Sequence, residues 1–163
     1  MTSAQIAEQI ALVAEGVPNI GKVHRYDRFF RDLAGFELHH KWTDGQGAGV
    51  LGSATVTLSG MGPGATNRSR TGGTSASTRL HRYSIRIIRG QHDDTASQLI
   101  LGDLAQALFD AFEAQATRTT LAALGIVYTP LEVDPIGIVG YGNPAFVAVN
   151  QAMCTLTIEE VLG

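Results

Sequence analysis

Two segments of alternating polarity bracket a stretch that has almost no apolar side chain, and this arrangement constrains the fold more than any other feature. Residues 53–58 set Ala54, Val56 and Leu58 on one side and Thr55, Thr57 and Ser59 on the other, the period-2 pattern of a half-buried strand. Residues 80–89 repeat it, with His81, Tyr83, Ile85 and Ile87 facing one way and Arg82, Ser84 and Arg86 the other. Between them, residues 60–78 hold mainly Gly, Ser, Thr, Asn and Arg, and almost nothing apolar follows Met61. Such a stretch cannot bury enough surface to offset its ordering entropy. In a compact domain it signifies a functional arm or a disordered insert. If the flanking strands pair as a hairpin, the arm over residues 60–79 projects from one end of a sheet, and residues 62–77 are expected to be mobile in the free protein.

The remaining elements predict helices around that sheet. Residues 2–15 place Ile6, Ile10, Val13 and Ala14 on one stripe, with Thr2 or Ser3 to cap the start and Gly16 and Pro18 to stop it. Residues 22–28 and 36–42 read as strands, with 29–34 either extending the first or making one helical turn. The strongest helix covers residues 95–115. Its broad apolar face carries Ile100, Leu101, Leu104, Ala107, Leu108, Ala111 and Phe112, and Asp93 and Asp94 suit its positive end. Leu99 and Phe109 lie off the main stripe, through a wide core face or as partner contacts. Residues 121–125 are ambiguous. Short strands are expected over 127–133 and 136–139, a turn over 140–144, and a closing strand over 146–158. The strands outnumber the helices and mostly lack helical crossovers. This predicts one α+β domain over residues 1–163, a mainly antiparallel sheet with two helices packed on it and a long Gly/Ser/Arg-rich β-hairpin arm.

A chain of 163 residues with 44% apolar side chains is long enough to bury a core. No apolar run reaches the roughly 18–20 residues of a membrane helix, so no membrane association is expected. Residues 1–16 show neither a basic n-region nor an A-x-A site, so no secretory signal is expected. Cys154, the single cysteine, excludes an internal disulfide framework and reads as a small core residue.

Motifs of catalysis fall away on inspection. Gly16-Val-Pro-Asn-Ile-Gly-Lys22 matches G-x-x-x-x-G-K, but Val23 follows where a P-loop needs a hydroxyl, and a helix precedes where a strand is required. Gly47-Ala-Gly-Val-Leu-Gly52 matches G-x-G-x-x-G but leads into a strand, not a helix. The five histidines, His24, His39, His40, His81 and His92, show no metal-ligand spacing. On a strand, His39 and His40 would face opposite sides. No enzyme activity, cofactor or metal is expected.

Charge is distributed unevenly. Residues 45–92 carry six arginines and no acid, whereas residues 93–163 carry nine acids and Arg118 alone. Either folding interleaves these segments and cancels the asymmetry, or each meets another charged surface, such as a second copy of the chain. Arg68, Arg70, Arg79, Arg82, Arg86 and Arg89 are the candidate contact residues. The arm lacks aromatics for base stacking, which favours carboxylates as their target, since arginine pairs with them bidentately.

The order of pieces carries one resemblance. An amphipathic helix leads into Val17-Pro-Asn-Ile-Gly-Lys-Val-His-Arg-Tyr-Asp27, then a strand ending at Lys41-Trp42, then a variable insert. Arg82-Tyr-Ser-Ile-Arg-Ile-Ile88 and His92-Asp-Asp-Thr-Ala-Ser-Gln98 follow, the latter opening a long helix, and the last strand ends at Glu159-Glu160. Over nearly the whole chain this resembles the tail-terminator family of long-tailed bacteriophages. The resemblance implies a structural virion protein, at the neck end of the tail and in the host cytoplasm during assembly. It implies a homo-oligomer, a hexameric ring that caps the tail tube, ends its polymerisation and presents a joining surface to head-completion or neck proteins. DNA in the lumen would be a passive contact. The alternatives are another neck protein, such as a head-closure connector or a tube subunit, and a small nucleic-acid-binding protein using the arginine-rich arm.

Overall fold

A computed structural model describes residues 1–27, 30–43, 49–64, 77–90, 96–142 and 145–162. Among these, four helices surround a curled, mostly antiparallel sheet of eight strands, in an α+β arrangement. In chain order the elements are α1 (Ser3–Glu15), β1 (Lys22–His24), α2 (Leu33–His40), β2 (Lys41–Thr43), β3 (Gly49–Pro63), β4 (Ser77–Gly90), α3 (Ala96–Glu113), α4 (Gln115–Ala123), β5 (Val127–Tyr128), β6 (Glu132–Val133), β7 (Gly137–Gly142) and β8 (Ala145–Leu162).

Helix α1 begins as its composition demands. The Thr2 hydroxyl accepts from the Gln5 amide N–H while the Gln5 side chain accepts from the Thr2 N–H, a closed capping box, and Gly16 ends the helix. The following turn brings β1 alongside β3 in the sheet's one parallel pairing among the described residues, Lys22 against Ser53. Gly21 makes this approach possible. Its φ is +90°, and a Cβ there would lie 2.2 Å from the Gly52 carbonyl oxygen.

Three long strands form the body. β3 and β4 pair antiparallel from Gly52↔Arg89 to Pro63↔Arg79, with an irregularity between Leu58 and Gly60. β4 and β8 pair from Gly90↔Val149 to Ser77↔Leu162. The outer edge of β3 is lined by β1 and β2 up to Thr55, and that of β8 by β5, β6 and β7 in succession.

The alternation in β4 sorts the core into two layers. Tyr83, Ile85 and Ile87 are fully buried with Ala54 and Val56 of β3 and Ala152, Cys154 and Leu156 of β8, beneath Ile6 and Ile10 of α1 and Leu101, Leu108 and Phe112 of α3. Ile88, on the opposite face, packs with Phe36 of α2 and Val149 in a second, smaller cluster.

Several expectations need correction. Residues 36–42 do not form a strand: α2 occupies Leu33–His40, and only Lys41–Thr43 are extended. Asp32 caps this helix by accepting from the Gly35 N–H at 2.8 Å. The i, i+4 pair Phe36 and His40 is buried, while Leu38 is 80% exposed. Among the described residues the helices therefore number four, not two, and α2 lies on the sheet face opposite α1 and α3. Within residues 22–27 the strand is confined to Lys22–His24, and residue 28 of the expected strand lies outside the described residues. The long helix ends at Glu113, close to its expected end, and a further helix, α4, follows from Gln115, so residues 121–123 are helical. β7 extends through Gly142, across part of the expected turn. The expectation of a mobile arm falls largely on residues 65–76, outside the described residues. Its flanks, Gly62, Pro63 and Ser77, belong to the paired strands.

Candidate functional site

The β3–β4 pair continues beyond the helix-covered core, and its far end carries the surface of interest. Val56 is fully buried, whereas Leu58 is 40% and Met61 61% exposed. Gly64 still donates its N–H to the Thr78 carbonyl at 2.9 Å, so the ladder persists as the core runs out. Met61, Pro63 and Arg79 help line a shallow groove of about 320 Å³ on this end. From Val56 to Pro63 the outer edge of β3 has no strand partner among the described residues. Its backbone groups there form an open pairing template.

The candidate arginines fall into different settings. Arg82 is exposed and makes no ion pair among the described residues. Arg86 shares its sheet face but is engaged: its guanidinium pairs with Asp27 and lies over the Tyr141 ring, 5.8 Å from the centroid. Arg79 is half exposed and reaches Glu160 at 3.8 Å. Arg89 is buried at 8% exposure, its guanidinium beside Gly52. Arg68 and Arg70 lie outside the described residues. Folding thus joins part of the basic middle to acids elsewhere in the chain, which cancels some of the charge asymmetry internally.

Glu160 gathers three partners at the end of β8. The amino terminus lies 3.2 Å from Oε1, and His81 Nε2 lies 2.8 Å and Arg79 3.8 Å from Oε2. The hydrogen bond from His81, followed by those of the amino terminus, holds the Glu160 carboxyl below the usual carboxylate range, against an opposing effect of burial. This cluster ties the start of α1 to the last strand. Adjacency to Glu159 in the sequence gives no sign of it, because the partners come from the opposite end of the chain and from β4.

A second cluster gathers three of the histidines. His24 and His39 stack with ring centroids 3.6 Å apart, and His40 meets His24 edge-on at 5.4 Å. The His40 ring is 2% exposed, packed against Phe30 and Phe36, with Nδ1 2.7 Å from the Ser53 hydroxyl. Its Nε2 is buried without a hydrogen-bond partner. Burial, reinforced by His39, His24, Arg86 and Lys22, lowers its pKa to about 3. This is a neutral, packed imidazole with a structural setting. Reading residues 36–42 as a strand hid the cluster, since only a helix places His39 and His40 over His24 together.

The other motifs take the places expected from their sequence context. Gly16–Lys22 joins a helix to a strand, and Gly49–Gly52 lies within β3. Cys154 is fully buried, and burial, with Asp134 nearby, pushes its thiol up to about 12, far from the thiolate a nucleophile needs. Among the described residues no group of three or more His, Cys, Asp or Glu side chains is placed to hold a metal ion, and no helix is long and apolar enough to cross a membrane. A scan against protein-family models and a search of curated proteins returned no match to this chain.

Proposed function

We propose that this chain is a structural virion protein, a tail terminator that closes into a ring on the tail tube of a long-tailed bacteriophage. In this role it ends tube polymerisation and presents the joining surface to the head-completion proteins. The observation that carries the reading is the far end of the β3–β4 pair. There an open strand edge, exposed Leu58 and Met61, and the arginines Arg79 and Arg82 occur together outside the core. Apolar and basic surface on an unpaired edge suits a chain that assembles. It agrees with the family resemblance in the sequence. A ring requires two unlike complementary faces on each protomer, and the separation of basic and acidic segments can supply them. The Gly-, Ser- and Arg-rich stretch between β3 and β4 then serves as the contact arm toward tube, neck or DNA, through Arg68 and Arg70.

The test is tube growth. Purified tail-tube protein polymerised with and without this chain should give capped tubes of arrested length when the chain is present, each with a ring at one end in negative-stain electron microscopy. Tubes that elongate equally with and without it would overturn the assignment. Salt-sensitive DNA binding without capping would point to the nucleic-acid reading instead.

A further inference from the structure

The edge of the sheet opposite the β3–β4 end has complementary character. β6 and β7 line the outer side of β8, so they lie across the full width of the sheet from β3. Strand register fixes which side chains share a face. Glu132 pairs with Thr155, Thr155 with Ser84, and Ser84 lies on the same face of β4 as Arg82. Val133 pairs with Cys154, on the helix-covered face, where it joins Gly102, Phe109 and Ile136 around an apolar groove of about 210 Å³ beside α3. At the β3–β4 end, Met61 pairs with His81, which also belongs to the helix-covered face. Glu132 and Asp134 are exposed and make no ion pair among the described residues, as is true of Arg82. Both Val133 and Met61 are exposed, at 43% and 61%. Glu132 lies on the edge strand β6 itself, whereas Arg82 lies on β4, one strand in from the edge of β3 and opposite Gly60, which has no side chain to cover it. Each side therefore carries a charge without an ion pair on the face away from α1 and α3, and an exposed apolar side chain on the helix-covered face. The charges are opposite in sign.

We propose that the β3–β4 end of one copy docks edge to edge on the β6–β7 edge of the next. This juxtaposition brings Arg82 to Glu132, on the face away from α1 and α3, and to Asp134 beside it on the same edge. It sets Met61 toward Val133 and the groove on the helix face. The two surfaces lie on opposite edges of one sheet and cannot meet within a chain. Their pairing is head-to-tail, the geometry that closes into a ring by rotation. The inference rests on the proposed function only in requiring self-association.

Sedimentation of the full-length chain tests it with charge exchange. Arg82→Glu alone, and Glu132→Arg with Asp134→Arg, should each raise the oligomer dissociation constant about tenfold or more, while far-UV circular dichroism and melting temperature stay unchanged. The three substitutions together should return it to within about threefold of wild type, since opposite charges again face each other. Self-association should also weaken between low and high salt. Either charge variant assembling as tightly as wild type, or the combined variant being weaker than both, would overturn this interface and leave the ring assignment standing. A wild-type chain that stays monomeric at all concentrations would overturn both.

Discussion

His81 donates from Nε2 to a carboxylate oxygen of Glu160 at 2.8 Å, joining β4 to β8 across 79 positions of sequence, while the other oxygen of Glu160 holds the amino terminus at 3.2 Å. His81 is 1% exposed, so loss of the carboxylate leaves a buried imidazole without its acceptor. Glu160→Ala should cost about 1 kcal/mol or more at pH 7 in denaturant melts. The cost should shrink in acid. The Glu160 carboxyl is held below its ordinary value in the folded chain, so its stabilisation is complete above the unfolded value. It is lost as pH falls through the folded one. Equal stability of variant and wild type at pH 7 would show that the cluster contributes nothing.

His40 makes the fold sensitive to mild acid. Its folded pKa is lowered from 6.5 to about 3, chiefly by burial. Between those values the unfolded chain binds a proton that the folded chain refuses, so stability rises with pH across this window and is lost as pH falls. The slope contributed approaches about 1.4 kcal/mol per pH unit. The groups around the ring, His24, His39, Lys22 and Arg86, are all basic, which adds to the penalty on the imidazolium. His40→Gln should flatten the fall in melting temperature between pH 7 and pH 5. An unchanged slope would place the acid sensitivity elsewhere.

Arg82 and Arg86 share a sheet face and should behave differently. Arg86→Ala removes the Asp27 pair and the contact with Tyr141, and should destabilise the monomer by about 1 kcal/mol. Arg82→Ala should stay within about 0.5 kcal/mol, as surface substitutions do. Chemical denaturation of the two variants separates them. Equal losses would mean that Arg82 has a role in folding.

Leu108 lies at the centre of the α3 face against the sheet, fully buried between Leu104 and Phe112. Leu108→Ala should cost about 2–5 kcal/mol through lost burial and the cavity left behind. A loss below about 0.5 kcal/mol would mean that the helix does not seal the core at this point.

The elements legible in the sequence are those whose local pattern and tertiary environment agree. α1 has its cap residues and one apolar stripe. β4 alternates because one face is covered for most of its length, and the same holds for Ala152, Cys154, Leu156 and Ile158 of β8. The misread elements are those decided by distant partners. Residues 36–42 hold Phe36 and Leu38 at strand spacing, but the second core cluster beneath Ile88 and Val149 takes Phe36 and leaves Leu38 outside. Asp32, placed to cap a helix start, was the local sign of α2. Thr55 reads as a polar position on the side away from the core, yet it and Ser53, on the same side of β3, are both buried. Ser53 meets His40 of the helix laid over that face. For the site, the shared face of Arg82 and Arg86 follows from their spacing alone. That only Arg82 remains without an ion pair does not, because Asp27 and Tyr141 reach Arg86 from either side in sequence.

Ring formation is the central claim, and native mass spectrometry of the full-length chain, alone and with tail-tube protein, tests it most directly. A single closed species is expected, a hexamer by the family resemblance, that binds the tube without itself growing into polymers. A monomer at every concentration, indifferent to the tube protein, or an open series of ever larger oligomers in isolation, would contradict it.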